Sequence, residues 1–118
     1  PSVFVGIDYD GSASAPEGME LVVGRSQDPG VIETARAFVD GRIDFLFIDG
    51  GHRSEEVRSD WNVFAPLVRR GGIIAFHDVR APETDEVQVP SLWREIQGSR
   101  RTVEIWDPDS TGIGAVFV

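Results

Sequence analysis

The chain has 118 residues, no cysteine, and a formal charge of −9 from 20 acids set against 11 bases, every one of them arginine. That length allows one domain with one core, burying roughly two thirds of its unfolded surface. The missing cysteines exclude disulfide frameworks, thiolate metal sites and cysteine nucleophiles, and the acidity excludes nucleic acid as an expected partner. No apolar run approaches the ~20 residues of a membrane span, and the N-terminal residues lack the basic and apolar regions of a signal peptide, so a cytoplasmic protein without membrane contact is expected.

The first β-rich run is Ser2 to Ile7, ending at Asp8, and the second is Glu20 to Val23, ending at Gly24, with the loop GSASAPEG between them. Asp28, Pro29 and Gly30 open a helix through Val39: Asp28 suits the N-cap, Pro29 the first helical position, and Ile32, Ala35 and Val39 share one face. Asp40-Gly41 stops it. Ile43 to Ile48 follows as a nearly unbroken apolar run, the pattern of a central strand buried on both faces, with Asp44 as the exception.

The next residues are FIDGGH, Phe47 to His52. Ser54 is placed to cap a helix whose first turn carries Glu55 and Glu56, and Val57, Trp61, Phe64 and Leu67 or Val68 recur at helical spacing as core positions. Pro66 predicts that the helix loosens near Phe64. Arg69-Arg70 reads as a solvated helix end, and Gly71-Gly72 feeds a fourth strand, Ile73 to Phe76, which stops at His77-Asp78. An acidic loop, Val79 to Val89, leads to a helix from Pro90-Ser91 through Gln97 that buries Leu92 and Ile96. The runs Thr102 to Trp106 and Gly114 to Val118 are spaced as a closing antiparallel hairpin. Strands alternating with helices specify an α/β class with a mostly parallel sheet.

Why apolar strands end in metal- and proton-capable groups follows from that class. Open parallel sheets bind ligands at the carboxyl ends of their strands, and Asp8, Asp49, His52, His77 and Asp78 all fall there. The strands before Asp49 and Asp78 are expected neighbours, ~4.8 Å apart, so the two carboxylates can meet on one divalent cation. Each residue alone has a plainer reading, the acids as helix caps and His77-Asp78 as a turn. Their joint placement on one sheet edge favours a site.

The run DFLFIDGGHRSEEVRSDWNVFAPLVRRGGIIAFHDV, followed by VPSLWREI, resembles the second half of a class I S-adenosylmethionine-dependent methyltransferase. It is most similar to the branch that includes metal-dependent O-methyltransferases of macrolide sugars and cephalosporin-hydroxylase-like proteins. The resemblance implies a Rossmann-like fold and methyl transfer from S-adenosylmethionine to a small hydroxylated substrate, assisted by Mg2+ or another divalent cation. It implies Asp49, His77 and Asp78 as metal ligands, His52 as general base, Asp8 on the cofactor ribose, and Ser26 and Gln27 near the adenine. His77 departs from the family's usual carboxylate and shifts the ligand set toward a softer metal.

The family's first strand and glycine-rich turn have no counterpart in these residues, so the chain reads as a single partial methyltransferase domain over residues 1–118. In the family that strand lies between those assigned to Val3–Ile7 and Ile43–Ile48. Its absence predicts either a rearranged sheet or a homo-oligomer pairing the exposed edges. Two other classes are kept open: a non-catalytic, dimerising remnant of such a domain, and a metal-dependent hydrolase suggested by the adjacent His77-Asp78.

Overall fold

The computed structural model describes residues 2–118, which form two compact units, one ending at Arg42 and one running from Ile43 to Val118. In the first unit β1 (Phe4–Asp8) and β2 (Met19–Val23) pair in parallel, with Phe4 opposite Met19 and Asp8 opposite Val23. Helix α1 (Pro29–Val39) starts at the expected proline. Asp28 is extended at the N-cap, but its contribution comes from the backbone: its carbonyl accepts the Ile32 N–H at 3.0 Å and its side chain makes no capping bond. The expected stop is real, since Asp40 and Gly41 take left-handed φ values of 50° and 71°.

The second unit contains β3 (Ile43–Ile48), α2 (Ser54–Phe64), a 3₁₀ turn (Ala65–Leu67), β4 (Val68–His77), α3 (Val89–Gln97), β5 (Arg101–Ile105) and β6 (Ile113–Phe117). Its sheet runs β3-β4-β6-β5, with β3 and β4 parallel and the β4–β6 and β5–β6 pairs antiparallel. The expected parallel pair and closing hairpin are both present. Among the described residues β1 pairs only with β2, so the strands form two sheets.

Pro66 ends the α-helix where expected, at Phe64. Two local expectations are corrected. Ser54 is the first helical residue and Arg53 the N-cap; the Glu56 carboxylate accepts the Arg53 backbone N–H at 3.3 Å, while the Ser54 hydroxyl accepts from Arg58 Nε at 2.9 Å. Arg69 and Arg70 are not a helix end but part of β4. Pairing with β3 jumps from Ile43–Val68 to Phe45–Ile73, so residues 69–72 bulge out of the ladder. The bulge is secured by Gly71 N–H to the Val118 carbonyl at 2.8 Å and by Val118 N–H to the Gly72 carbonyl at 3.1 Å. Arg69 also pairs with Asp44, which accounts for the acid at the start of an apolar strand.

The core lies on one face of this sheet. Ile48, Ile74, Phe76 and Val116 alternate toward α2 and α3, where Val57, Leu92, Trp93 and Ile96 meet them, and all of these are buried. Phe76 is the middle of an aromatic row, with ring centroids 5.7 Å from Trp61 and 6.0 Å from Trp93. Trp93, only 2% exposed, donates its indole N–H to Glu104 Oε1 at 2.7 Å. The expectation that β3 is buried on both faces is not met: Phe45 and Phe47 remain 60% and 48% exposed. In this unit β3 is an edge strand, and the two helices cover only the face carrying Leu46 and Ile48.

Candidate functional site

The ladder brings Asp49 and Asp78 together because β3 and β4 run parallel and end side by side, with Ile48 opposite Phe76. Past these ends the chain turns sharply. Gly50 and Gly51 follow Asp49, and a side chain at Gly51 would collide with Glu56, whose carboxylate is needed at the start of α2. Asp78 takes a φ of 64°, an uncommon conformation for a residue other than glycine.

The four expected residues of this edge meet. His77 Nδ1 lies 3.1 Å from Asp49 Oδ1 and 3.3 Å from Asp78 Oδ1. His52 Nε2 lies 2.8 Å from Asp78 Oδ2, close enough for an ion pair but without the alignment of a hydrogen bond, and that nitrogen is shut off from solvent. One donor atom each from Asp49, His52 and Asp78 falls within 4.8 Å of the others. Two carboxylate oxygens with a buried, unaligned imidazole nitrogen fit a divalent cation, and the mixed oxygen and nitrogen set accepts Mn2+ or similar ions as well as Mg2+. The trio that converges contains His52, whereas the family's pattern puts position 77 among the ligands; His77 instead rests its Nδ1 against both carboxylates.

Two neighbours of the site carried no motif. Thr111, in the loop between β5 and β6, donates its hydroxyl to Asp78 Oδ1 at 2.5 Å. The acidic loop after Asp78 is stapled to the turn holding His52, since Gln88 N–H donates to the His52 carbonyl at 2.8 Å and Arg53 faces Glu86 at 3.7 Å. An open cleft of about 420 Å³, lined by Arg53, Ser54, Glu55, Asp85, Glu86 and Gln88, lies beside these contacts. The acidic loop follows Asp78 directly in the chain, so its place at this edge was legible; Thr111 was not, since it reaches Asp78 only because β6 returns antiparallel beside β4, with Ile113 opposite His77.

In the first unit Asp8, Ser26 and Gln27 share the carboxyl end of the β1–β2 pair. The Asp8 carbonyl accepts the Gly24 N–H at 2.8 Å, joining the two strand ends. The Asp8 carboxylate accepts the Asp10 N–H at 2.9 Å through Oδ1, and Gln27 Nε2 donates to Ser26 Oγ at 2.7 Å.

Comparison with known proteins gives the family and the fold. A family model described as a methyltransferase domain matches residues 7–79. Demethylmacrocin O-methyltransferase of Streptomyces fradiae is 35% identical over 75 residues, an alignment covering 63% of this chain and 19% of that one. The fold is shared with the MycE methyltransferase of the mycinamycin biosynthetic pathway. Its structure with Mg, SAH and mycinamycin VI superposes with a TM-score of 0.67 at 20% identity, covering 96% of this chain and 35% of that one. A crystal form of MycE with Mg and SAH gives 0.61 at 23% identity over the same 96% of this chain. The chain thus spans about a fifth of the curated relative and about a third of the solved one. A Rossmann-like α/β fold, metal-capable groups at the ends of adjacent parallel strands, and a family match across most of both features make this chain a member of the class I S-adenosylmethionine-dependent methyltransferase family.

Proposed function

We propose that this chain carries the acceptor-activating part of a metal-assisted O-methyltransferase acting on a small hydroxylated molecule. The observation that carries the reading is the convergence of Asp49, His52 and Asp78 at the ends of two neighbouring parallel strands. The reaction class is supported by an O-methyltransferase relative, and the metal by a structural neighbour that holds Mg together with SAH.

In this reading Asp49 and Asp78 hold the cation, with His77 the third group against them. A bound cation lowers the pKa of an acceptor hydroxyl, and S-adenosylmethionine supplies the methyl group. His52 takes the hydroxyl proton, general-base work for which an imidazole nitrogen is suited. Asp8 hydrogen-bonds the cofactor ribose, Ser26 and Gln27 face the adenine, and the acidic loop from Val79 to Val89 covers the acceptor. The presence of His52 in the donor trio favours a second reading, in which His52 is itself a ligand.

The test combines methyl transfer to acceptors with vicinal hydroxyls and Mn2+ affinity, for the wild type and His52→Ala. Lost transfer with retained Mn2+ affinity identifies the base, whereas lost affinity identifies the ligand. Unchanged transfer removes His52 from both roles.

A further inference from the structure

We propose that Thr111 is a positioning residue that selects which carboxylate oxygen of Asp78 faces the cation, an inference resting on the reading of Asp78 as a ligand. The loop between β5 and β6 is held over the end of β4 by the antiparallel β4–β6 ladder, in which Ile113 lies opposite His77. From there Thr111 grips the turn after β4 at two points. Its hydroxyl donates to Asp78 Oδ1 at 2.5 Å, and its carbonyl accepts the Arg80 N–H at 2.8 Å. Arg80 strengthens the same attachment, since its Nε donates to Glu104 Oε2 at 2.6 Å and its guanidinium lies 4.7 Å over the Trp106 ring.

The consequence is a division of labour within one carboxylate. Oδ1 is occupied by the Thr111 hydroxyl, with His77 Nδ1 at 3.3 Å, while Oδ2 is turned toward Nε2 of His52, a residue of the donor trio, at 2.8 Å. A carboxylate rotates readily about its last bond, and Asp78 stands one residue past the end of β4, in a turn where its φ is 64°. The hydroxyl removes that freedom. It also faces His77 Nε2 at 3.5 Å, so the same group borders the histidine behind the site. Outer partners that orient a ligating carboxylate typically contribute ~10–100-fold to metal affinity.

The experiment measures the Mn2+ dissociation constant of the full chain by electron paramagnetic resonance for the wild type, Asp78→Asn, Thr111→Val, Thr111→Ala and Thr111→Ser, with circular dichroism melts of each. Valine keeps the shape of threonine without the donor, and serine keeps the donor without the methyl. The expected result is Mn2+ binding weakened ~10–100-fold in Thr111→Val and Thr111→Ala, and wild-type affinity within about threefold in Thr111→Ser. Where valine fails to fold, alanine carries the comparison. Wild-type affinity in the variant lacking the hydroxyl, or equal weakening in Thr111→Ser, overturns the positioning role alone. If Asp78→Asn binds Mn2+ as the wild type does, Asp78 is not a ligand, and that outcome removes both the ligand reading and the inference built on it.

Discussion

Removing the Glu104 carboxylate is expected to loosen the second unit more than any other single polar change on its sheet. Its Oε1 accepts from Trp93 Nε1 at 2.7 Å and from Gln97 Nε2 at 3.0 Å, and its Oε2 accepts from Arg80 Nε at 2.6 Å. In Glu104→Ala, water replaces the carboxylate for Gln97 and Arg80, whose side chains reach solvent, so those contacts together account for at most about 1 kcal/mol. Trp93 is different: it is 2% exposed, and a buried N–H left without an acceptor costs about 1–3 kcal/mol. The expected loss is about 2–3 kcal/mol, or roughly 10 °C in the melting midpoint of a domain this size. Glu104→Gln keeps an acceptor oxygen for Trp93 and is expected to lose only about 1 kcal/mol.

Urea denaturation followed by tryptophan fluorescence reads this directly, because Trp61, Trp93 and Trp106 all lie in the second unit. The same carboxylate predicts a pH signature. The Trp93 N–H, followed by Arg80 and Gln97, holds Glu104 below the usual glutamate range against an opposing effect of burial. A carboxylate depressed in the folded state stabilises fully above its unfolded value, about 4.3, and that stabilisation fades as the pH falls through the lower folded value. The wild type therefore loses stability below about pH 4.3 along a steeper slope than Glu104→Gln, which lacks this carboxylate's share. An alanine variant within 0.5 kcal/mol of wild type, or a glutamine variant as damaged as alanine, refutes the account of Trp93 (about 0.5 kcal/mol being the spread of ordinary surface changes).

Gly114→Ala is expected to cost about 1–3 kcal/mol by overpacking, because an added Cβ falls 2.5 Å from Trp93 Cζ2; combined with Trp93→Phe the two losses should be less than additive in the same urea titration. Asp78→Asn is expected to fold as the wild type does, since asparagine tolerates the left-handed φ of 64°, while Mn2+ affinity measured by calorimetry falls at least tenfold; Asp78→Ala should be the less stable of the two by circular dichroism. Glu95→Gln leaves Arg58 one acceptor in place of the twin bonds at 2.8 and 2.6 Å and removes the opposite charge, yet both side chains reach solvent, so the urea midpoint is expected to stay within error; a clear drop contradicts this.

Much of the site was legible because it depends on chain order alone. An apolar run followed by DGGH, and another followed by HD, place their polar ends on one edge as soon as the two strands pair in parallel, and the observed β3–β4 ladder has that pairing. The proline at 66 and the Asp40-Gly41 stop were equally readable, because each acts through its own backbone. Errors arose where a neighbour distant in sequence decides. Arg69 and Arg70 resemble a solvated helix end until the bulge pairs residues 71 and 72 with Val118, and Asp44 is unexplained until Arg69 meets it.

Local sequence determined which segments become strands and helices, where each stops, and which polar groups stand at the strand ends, since dihedral preference and apolar periodicity act over a few residues. Only the tertiary structure decided which face of β3 is covered, that Gly114 leaves room for Trp93, and that Thr111 holds Asp78. The last two depend on β6 returning between β4 and β5, which brings together partners 21 and 33 residues apart in the chain that leave no periodic trace in either segment.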